Sequence, residues 1–286
     1  LDEGRFQLFQ RRLADSPEAH DRYRLLGWFE RGQLVSAMKA YRLSGGYAGR
    51  PLALLGIGAV FTPLERRRRG HAAAMLRAAM ADAAARGMQA AVLFSDIEVR
   101  YYERLGFRAV ESRESTVDVS ALPRPAGGFR PAFAGDEDAM IRLFAAGRRG
   151  ETRFCLARDG WTLRFQLRRL RELARARGVG EPEWGVIARD GGSEAAAMMR
   201  FGRDSIDVLE AAWTDDRARQ RLLGGLHDCM QRTGRPRLRV WPAGQLRGLF
   251  AAPERKSAIA MVAPLDAGVT LPERGAATEL ALLDHI

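Results

Sequence analysis

The residues Arg67-Arg68-Arg69-Gly70-His71-Ala72 are a place in this chain where residue type and spacing could do chemistry. An apolar run, 52–61, precedes them and a helical pattern follows. The first N–H groups of a helix lack internal partners, and the helix dipole favours negative charge there. Arginines beside a glycine at a helix start therefore make a phosphate site. Gly70 and Ala72 lack bulk, so phosphate oxygens can approach the backbone amides of 68–73 closely. The bland alternative is that 66–69 are a solvated charge run. Further on, Tyr102 is the residue best suited to proton chemistry, since a phenol with a pKa of about 10 stays protonated near neutral pH. His71 titrates in a useful range, but its position inside the turn favours a structural role.

Several elements must position these groups. The run 52–61 reads as a buried strand. In 71–86, Ala72, Met75, Leu76, Ala79, Met80 and Ala83 recur at three- and four-residue spacing, which makes one apolar helix face. Gly87 ends that helix. A strand over 90–94 stops at Ser95-Asp96. A short helix over 100–105 and a turn at Gly106 lead into a last strand, 107–119. Upstream lie a helical opening with Phe6, Leu8, Phe9 and Leu13, strands over 22–30 and 33–43, and a glycine-rich turn over 44–51. Gly56-Ile57-Gly58 is no dinucleotide fingerprint, because the third glycine position falls at Phe61 and the pair lies within the strand.

Residues 122–128, with two prolines and two glycines, read as a linker. They divide the chain into a domain over 1–121 and a second over 129–286. The second half repeats the order of the first. It has helices over 136–147 (capped by Asp136) and 161–177, then a meander over 184–188, 195–201 and 206–213 that turns at Asp190-Gly191-Gly192. A helix over 217–232, a strand over 237–241, a short helix over 245–250 and a strand over 258–265 follow. The expected fold class is α+β, a mixed α/β sheet built twice. Trp161, Trp184 and Trp213 read as core residues.

Composition narrows the function classes. The 286 residues carry a net charge of +11, which suits a polyanionic partner. Only Lys39 and Lys256 are lysines, however, so the excess is arginine bias plus a local anion site. No basic run interleaved with aromatics marks a nucleic-acid surface. Cys155 and Cys229 form no CxxC pair, and His20, His71, His227 and His285 are scattered, so no metal site is expected. No apolar run approaches the roughly 18 residues of a membrane span. The chain begins at Leu1 with no visible leader, and the reducing cytoplasm is the expected compartment.

These residues carry a family resemblance. The basic turn is similar to the Arg-x-x-Gly-x-(Gly or Ala) signature of the GNAT (GCN5-related N-acetyltransferase) superfamily, with Arg67, Gly70 and Ala72 in the matching places. Tyr101-Tyr102-Glu103-Arg104-Leu105-Gly106-Phe107 resembles that family's second signature, an aromatic and a tyrosine followed by a short stretch ending in Gly-Phe. One departure is that Leu64 stands where the family often has proline, with Pro63 one position early. The tandem order resembles the enhanced-intracellular-survival acetyltransferases, so the implied fold is two tandem GNAT-like domains, the second degenerate.

The resemblance implies acetyl-CoA as co-substrate, its pyrophosphate on Arg67, Arg68, Arg69, Gly70, His71, Ala72 and Ala73. It also implies that Val60, Phe61 and Thr62 pair with the pantetheine arm, and that Ser95 and Asp96 line the other side where the two strands splay. Tyr102 becomes the general acid for the departing thiolate, and a backbone N–H near Phe61 or Thr62 the oxyanion donor. The base stays open among Glu30, Glu65, Asp96, Glu98, His71, a water chain and the chain's end at Ile286. The second half has Thr214-Asp215-Asp216-Arg217 where the turn would be, without glycine and with carboxylates that repel phosphate; it is expected to bind no coenzyme A. The reading is a transferase moving an acetyl group to the primary amine of a small molecule or peptide by direct attack in a ternary complex. Its rival is a non-catalytic acyl-CoA sensor or a basic nucleic-acid-associated module. Homo-oligomerisation stays open.

Overall fold

A computed structural model describes residues 3–20, 22–124, 127–148, 152–178, 183–189 and 192–285. Residues 125 and 126 of the expected linker, Asp190 and Gly191 of the expected turn, the side chain of Trp184, and Ile286 lie outside the described residues. The first half runs α1 (Glu3–Ala14), β1 (Tyr23–Glu30), β2 (Gln33–Tyr47), β3 (Arg50–Phe61), α2 (His71–Ala85), β4 (Ala90–Ser95), α3 (Arg100–Glu103), β5 (Arg108–Ala109) and β6 (Ser115–Asp118). The second runs β7 (Phe129–Pro131), α4 (Glu137–Ala146), β8 (Phe154–Leu156), α5 (Gly160–Arg177), β9 (Glu183–Arg189), β10 (Gly192–Phe201), β11 (Ser205–Trp213), α6 (Asp216–Thr233), β12 (Arg237–Val240), β13 (Ile259–Pro264) and β14 (Thr278–Glu279).

The described strands form two mixed sheets. The first has the order β14-β8-β2-β3-β4-β13-β5 with β1 also on β2, and the second the order β6-β12-β11-β10-β9-β7. The first sheet thus takes β8, β13 and β14 from beyond the linker, and the second takes β6 from before it. β13 lies between β4 and β5, antiparallel to both. β6 is antiparallel to β12 at the edge of the second sheet. The expected strand over 107–119 is accordingly broken. Its first residues stay in the first sheet, and its end crosses to the second beside the returning chain, held by Val110 N–H to Ala260 O (2.9 Å) and Glu114 N–H to Pro253 O (3.0 Å). Burial drives the exchange: Ala260, Met261, Val262 and Ala263 are all fully buried. Met261 packs with α2 on one face and Val262 with the core beneath β2 on the other. A strand covered on both faces reads as a continuous apolar run, so its sequence cannot say which sheet it joins.

Two local differences have physical causes. The expected turn over 44–51 shrinks to Ala48-Gly49, because β2 and β3 pair through Tyr47 and Arg50. Gly45 is strand, and a Cβ there would lie 2.5 Å from the Cys155 carbonyl oxygen, so glycine admits β8 to the sheet edge. Asp136 precedes α4 without capping it by side chain. Its carboxylate instead takes both Arg130 Nη groups (2.7 and 2.9 Å) and the Phe133 N–H. Trp161 stacks on Phe165 at 5.0 Å and Trp213 is buried, as core residues should be.

Lys39, opposite Gly58 on β2, holds its ammonium 5.3 Å above the Phe9 ring. Burial, and secondarily Arg169, lowers its pKa to about 8. Below that pH the native state carries a poorly solvated charge. Between about 8 and the ordinary 10.5 the unfolded chain binds a proton that the native chain does not, so this group makes stability rise with pH across that window. Lys39→Met is expected to stabilise the protein at pH 7 by roughly 1–2 kcal/mol, below the full linkage value because the side chain is partly wet. Urea melts at pH 7 and pH 9.5 check this: the gain should shrink at the higher pH, and a loss of stability at pH 7 would refute it.

Candidate acyl-transfer site

The site begins with a bulge. β2 and β3 pair as Lys39 with Gly58 but as Ala37 with Phe61, so β3 carries one extra residue between those points. Ala59 takes it up at φ 47°. β3 and β4 are parallel partners from Leu54–Ala90 to Ile57–Leu93 and no further. Beyond that point they splay: β3 bends away while β4 continues on β13 through Ser95. Bulges re-aim a strand in this way. Ser36, which carries no signal in the sequence, pins the far end: its Oγ donates to the Phe61 carbonyl (2.7 Å) and lies 3.1 Å from Thr62 Oγ1.

The basic turn closes one side of the wedge. Gly70 precedes α2 at φ 83° with no side-chain cap, so the first N–H groups of the helix remain available. Arg67 donates its Nε to the Thr62 carbonyl, which holds the turn against the end of β3. Arg66 is bound to Gln33. Arg68 and Arg69 are exposed and, among the described residues, have no ion-pair partner. His71 is buried; its Nδ1 lies 2.9 Å from Glu30 Oε1 at the end of β1, and its Nε2 has no partner. It thus ties the helix start to the β1–β2 hairpin. A cradle of free amides and unneutralised arginines fits a pyrophosphate.

A cavity of about 420 Å3 runs along this wedge. It brings together Val60, Phe61, Thr62, Arg67, Arg68, Gly70, His71, Ala72, Ala73 and Tyr102 from the sequence expectation. Arg69, Ser95 and Asp96 do not line it. Ser95 is buried with its hydroxyl on the Ile97 carbonyl, and Asp96 Oδ1 accepts the Ala258 N–H where β13 begins. Tyr101 also lines the cavity. α3 is only one turn long, and the two tyrosine rings meet edge to face at 5.0 Å. Tyr102 is 7% exposed, and burial, then Tyr101 and Asp96, pushes its phenol up to about 12. Among the described residues no carboxylate lines the cavity: Glu30 is on His71, Glu98 faces Arg100, and Glu65 is exposed.

The second half treats the matching place differently. Asp215 caps α6 itself, its carboxylate accepting the Ala218 N–H at 2.8 Å. β11 and β12 pair only from Ser205 to Val208, so they too splay. Here the wedge is filled. Gln245 bridges the Trp213 backbone with both ends of its amide. Behind it Arg148 and Arg158 hold Glu210, Arg158 also holds Asp284, and Arg148, Arg153 and Arg247 converge on Glu279. Burial alone would raise the Glu210 pKa, but Arg148 and Arg158 outweigh it and hold the carboxyl below its ordinary range.

Gly70→Ala tests the turn. A Cβ at Gly70 meets nothing within 4 Å, so the penalty is purely the left-handed backbone. The expected loss is about 1–2 kcal/mol of unfolding free energy, measured by urea melts; no loss would mean that the turn relaxes freely.

Among the described residues no group of three or more His, Cys, Asp or Glu could hold a metal ion, and no helix is long and apolar enough to cross a membrane. A sequence profile described as "Acetyltransferase (GNAT) domain" matches residues 4–110. No curated protein sequence matches the chain. Among solved structures, a probable N-acyltransferase from Enterococcus faecalis is similar at 18% identity and TM-score 0.66, over 90% of this chain and 68% of its own. A GCN5-related N-acetyltransferase from Anabaena variabilis matches at 12% identity and TM-score 0.66, over 92% and 71%. Eis1 from Mycobacterium abscessus matches at 18% identity and TM-score 0.59, over 92% and 71%. The chain thus spans about two thirds of the length of these structures. Residues 4–110 thus match the model of a GNAT acetyltransferase domain, and the chain as a whole shares the fold of these solved structures.

Proposed function

We propose that the protein is an acetyl-CoA-dependent N-acetyltransferase that works by direct transfer in a ternary complex. The observation that carries this reading is one cavity joining an uncapped helix start, the exposed Arg68 that has no ion-pair partner among the described residues, and a buried tyrosine that stays protonated. The pyrophosphate rests on the amides of 71–73 with Arg68 and Arg67, and Arg69 meets the phosphates from the rim. The pantetheine arm follows Val60, Phe61 and Thr62, where β3 has left β4 and its backbone groups are free to pair. The neutral amine of the acceptor attacks the thioester carbonyl, the C–N bond forms, and the C–S bond breaks. The departing thiolate takes a proton from the Tyr102 hydroxyl, and a backbone N–H near Phe61 or Thr62 stabilises the oxyanion.

Among the described residues no carboxylate lines the cavity, which favours a proton leaving through water. The filled second wedge supports a single coenzyme A per chain, with the second half acting as a buttress: Asp215 occupies one of the amides that a phosphate would need, and Asp216 adds a second negative charge. The two cysteines are not joined in a disulfide, in keeping with the cytoplasm. Calorimetric titration with coenzyme A tests the core of this reading. One site per chain is expected, weakened about tenfold or more in Arg68→Ala/Arg69→Ala, as loss of charge-assisted hydrogen bonds requires. Two sites, or no binding, would contradict it.

A further inference from the structure

A second cavity, of about 210 Å3, lies away from the wedge between α5, the second sheet and the C-terminal segment. Its polar wall is Arg169, Arg177, Arg200 and His285, and its apolar wall is leucine, with Leu173 from α5 and Leu209 from β11 among them. Among the described residues no carboxylate lines it. Arg169 spends its Nε on Gln166 Oε1 and one Nη on the His285 carbonyl, both neutral acceptors at 2.8 Å. Arg177 has no hydrogen-bond or ion-pair partner among the described residues. Arg200 pairs with Asp207, but Asp207 is shared with Arg239, so one carboxylate serves two guanidiniums.

Positive charge therefore exceeds negative charge around a small, leucine-walled space. Guanidinium forks suit carboxylate oxygens, and a partly desolvated fork binds them more strongly than an exposed one. The leucines favour an apolar body and offer no acceptor for an ammonium group. Repulsion from three arginines opposes a polycation here.

The geometry points to a binding site for a small apolar carboxylate, one of branched-chain amino-acid size, held between Arg169, Arg177 and Arg200. Two sources share this chemistry: the acceptor amine's own carboxylate, and a carboxylate effector that is not consumed. The cavity abuts the catalytic half through His285, whose ring meets Phe94 of β4 edge-on at 5.5 Å. That placement allows either.

The test is calorimetric binding to the full chain of 4-methylpentanoate, of its neutral isostere 4-methylpentanamide, and of leucine. The expected result is a single site for 4-methylpentanoate, with the amide weaker by about tenfold or more, as loss of a charged acceptor requires. Arg177→Gln should weaken 4-methylpentanoate about tenfold at unchanged Tm. Arg177 is exposed and outside the acyl-transfer cavity, so folding should survive the change. Equal binding of acid and amide, binding indifferent to Arg177→Gln, or no binding at about 10 mM ligand would overturn the site. Coenzyme A release then separates the sources. Consumption of leucine, with 4-methylpentanoate competing, identifies an acceptor site. Binding of both without consumption identifies an effector site, and it would stand even if acetyl transfer itself were disproved.

Discussion

Tyr102→Phe is expected to lower kcat by about 10²–10⁴-fold, the range that a positioned general acid contributes, while leaving coenzyme A affinity within about twofold. The change removes one hydroxyl and keeps the ring that packs on Phe107 and Tyr101, so folding should be unaffected. Pre-steady-state coenzyme A release and calorimetric titration check the two halves of the claim. An unchanged kcat would remove Tyr102 from the chemistry, and a matching loss of affinity would make it a binding residue. The pH profile supplies an independent reading. With the phenol pushed up to about 12, kcat should show no descending limb from this group below about pH 10. A descending limb near neutral pH would point to a different acid.

The second large effect concerns the exchanged strands. A fragment ending at Ala121 would follow the expected domain boundary, yet it lacks β13 and keeps β6 without its partner β12. Such a fragment is expected to show no cooperative urea transition and to bind a hydrophobic dye. Burying Met261 and Val262 contributes about 1.5–3 kcal/mol each. The edges of β4 and β5 would also lose their ladder partner. Together these losses rival the ~5–15 kcal/mol by which a typical domain is stable. A fragment that unfolds cooperatively, with a denaturant slope normal for its size, would show that the first half stands without its neighbour. The milder Met261→Ala in the whole chain should cost about 2–5 kcal/mol.

The basic turn and its helix were legible because their determinants are local. Gly70 must tolerate a positive φ, and the apolar spacing from Ala72 to Ala83 makes a helix wherever it is placed. Tyr102 was legible through its short aromatic segment. Asp96 was not legible in the same sense: its place after β4 is local, but its carboxylate is used by the Ala258 N–H, from a segment more than 150 residues away. Ser36 gave no signal because a serine in a strand becomes an anchor only when the partner strand carries a bulge.

The sequence by itself determined what nearest neighbours settle: the helices, the basic turn, the aromatic segment that carries Tyr102, and the absence of a matching turn before α6. The tertiary structure alone decided which strands share a sheet, where β3 leaves β4, and that the second wedge is filled by Gln245 and a buried ion network. The physical reason is range. Helix starts and turns answer to charges and dihedrals within a few residues. Apolar strands such as β13 fit several places equally well, and only the packing of the whole chain selects one.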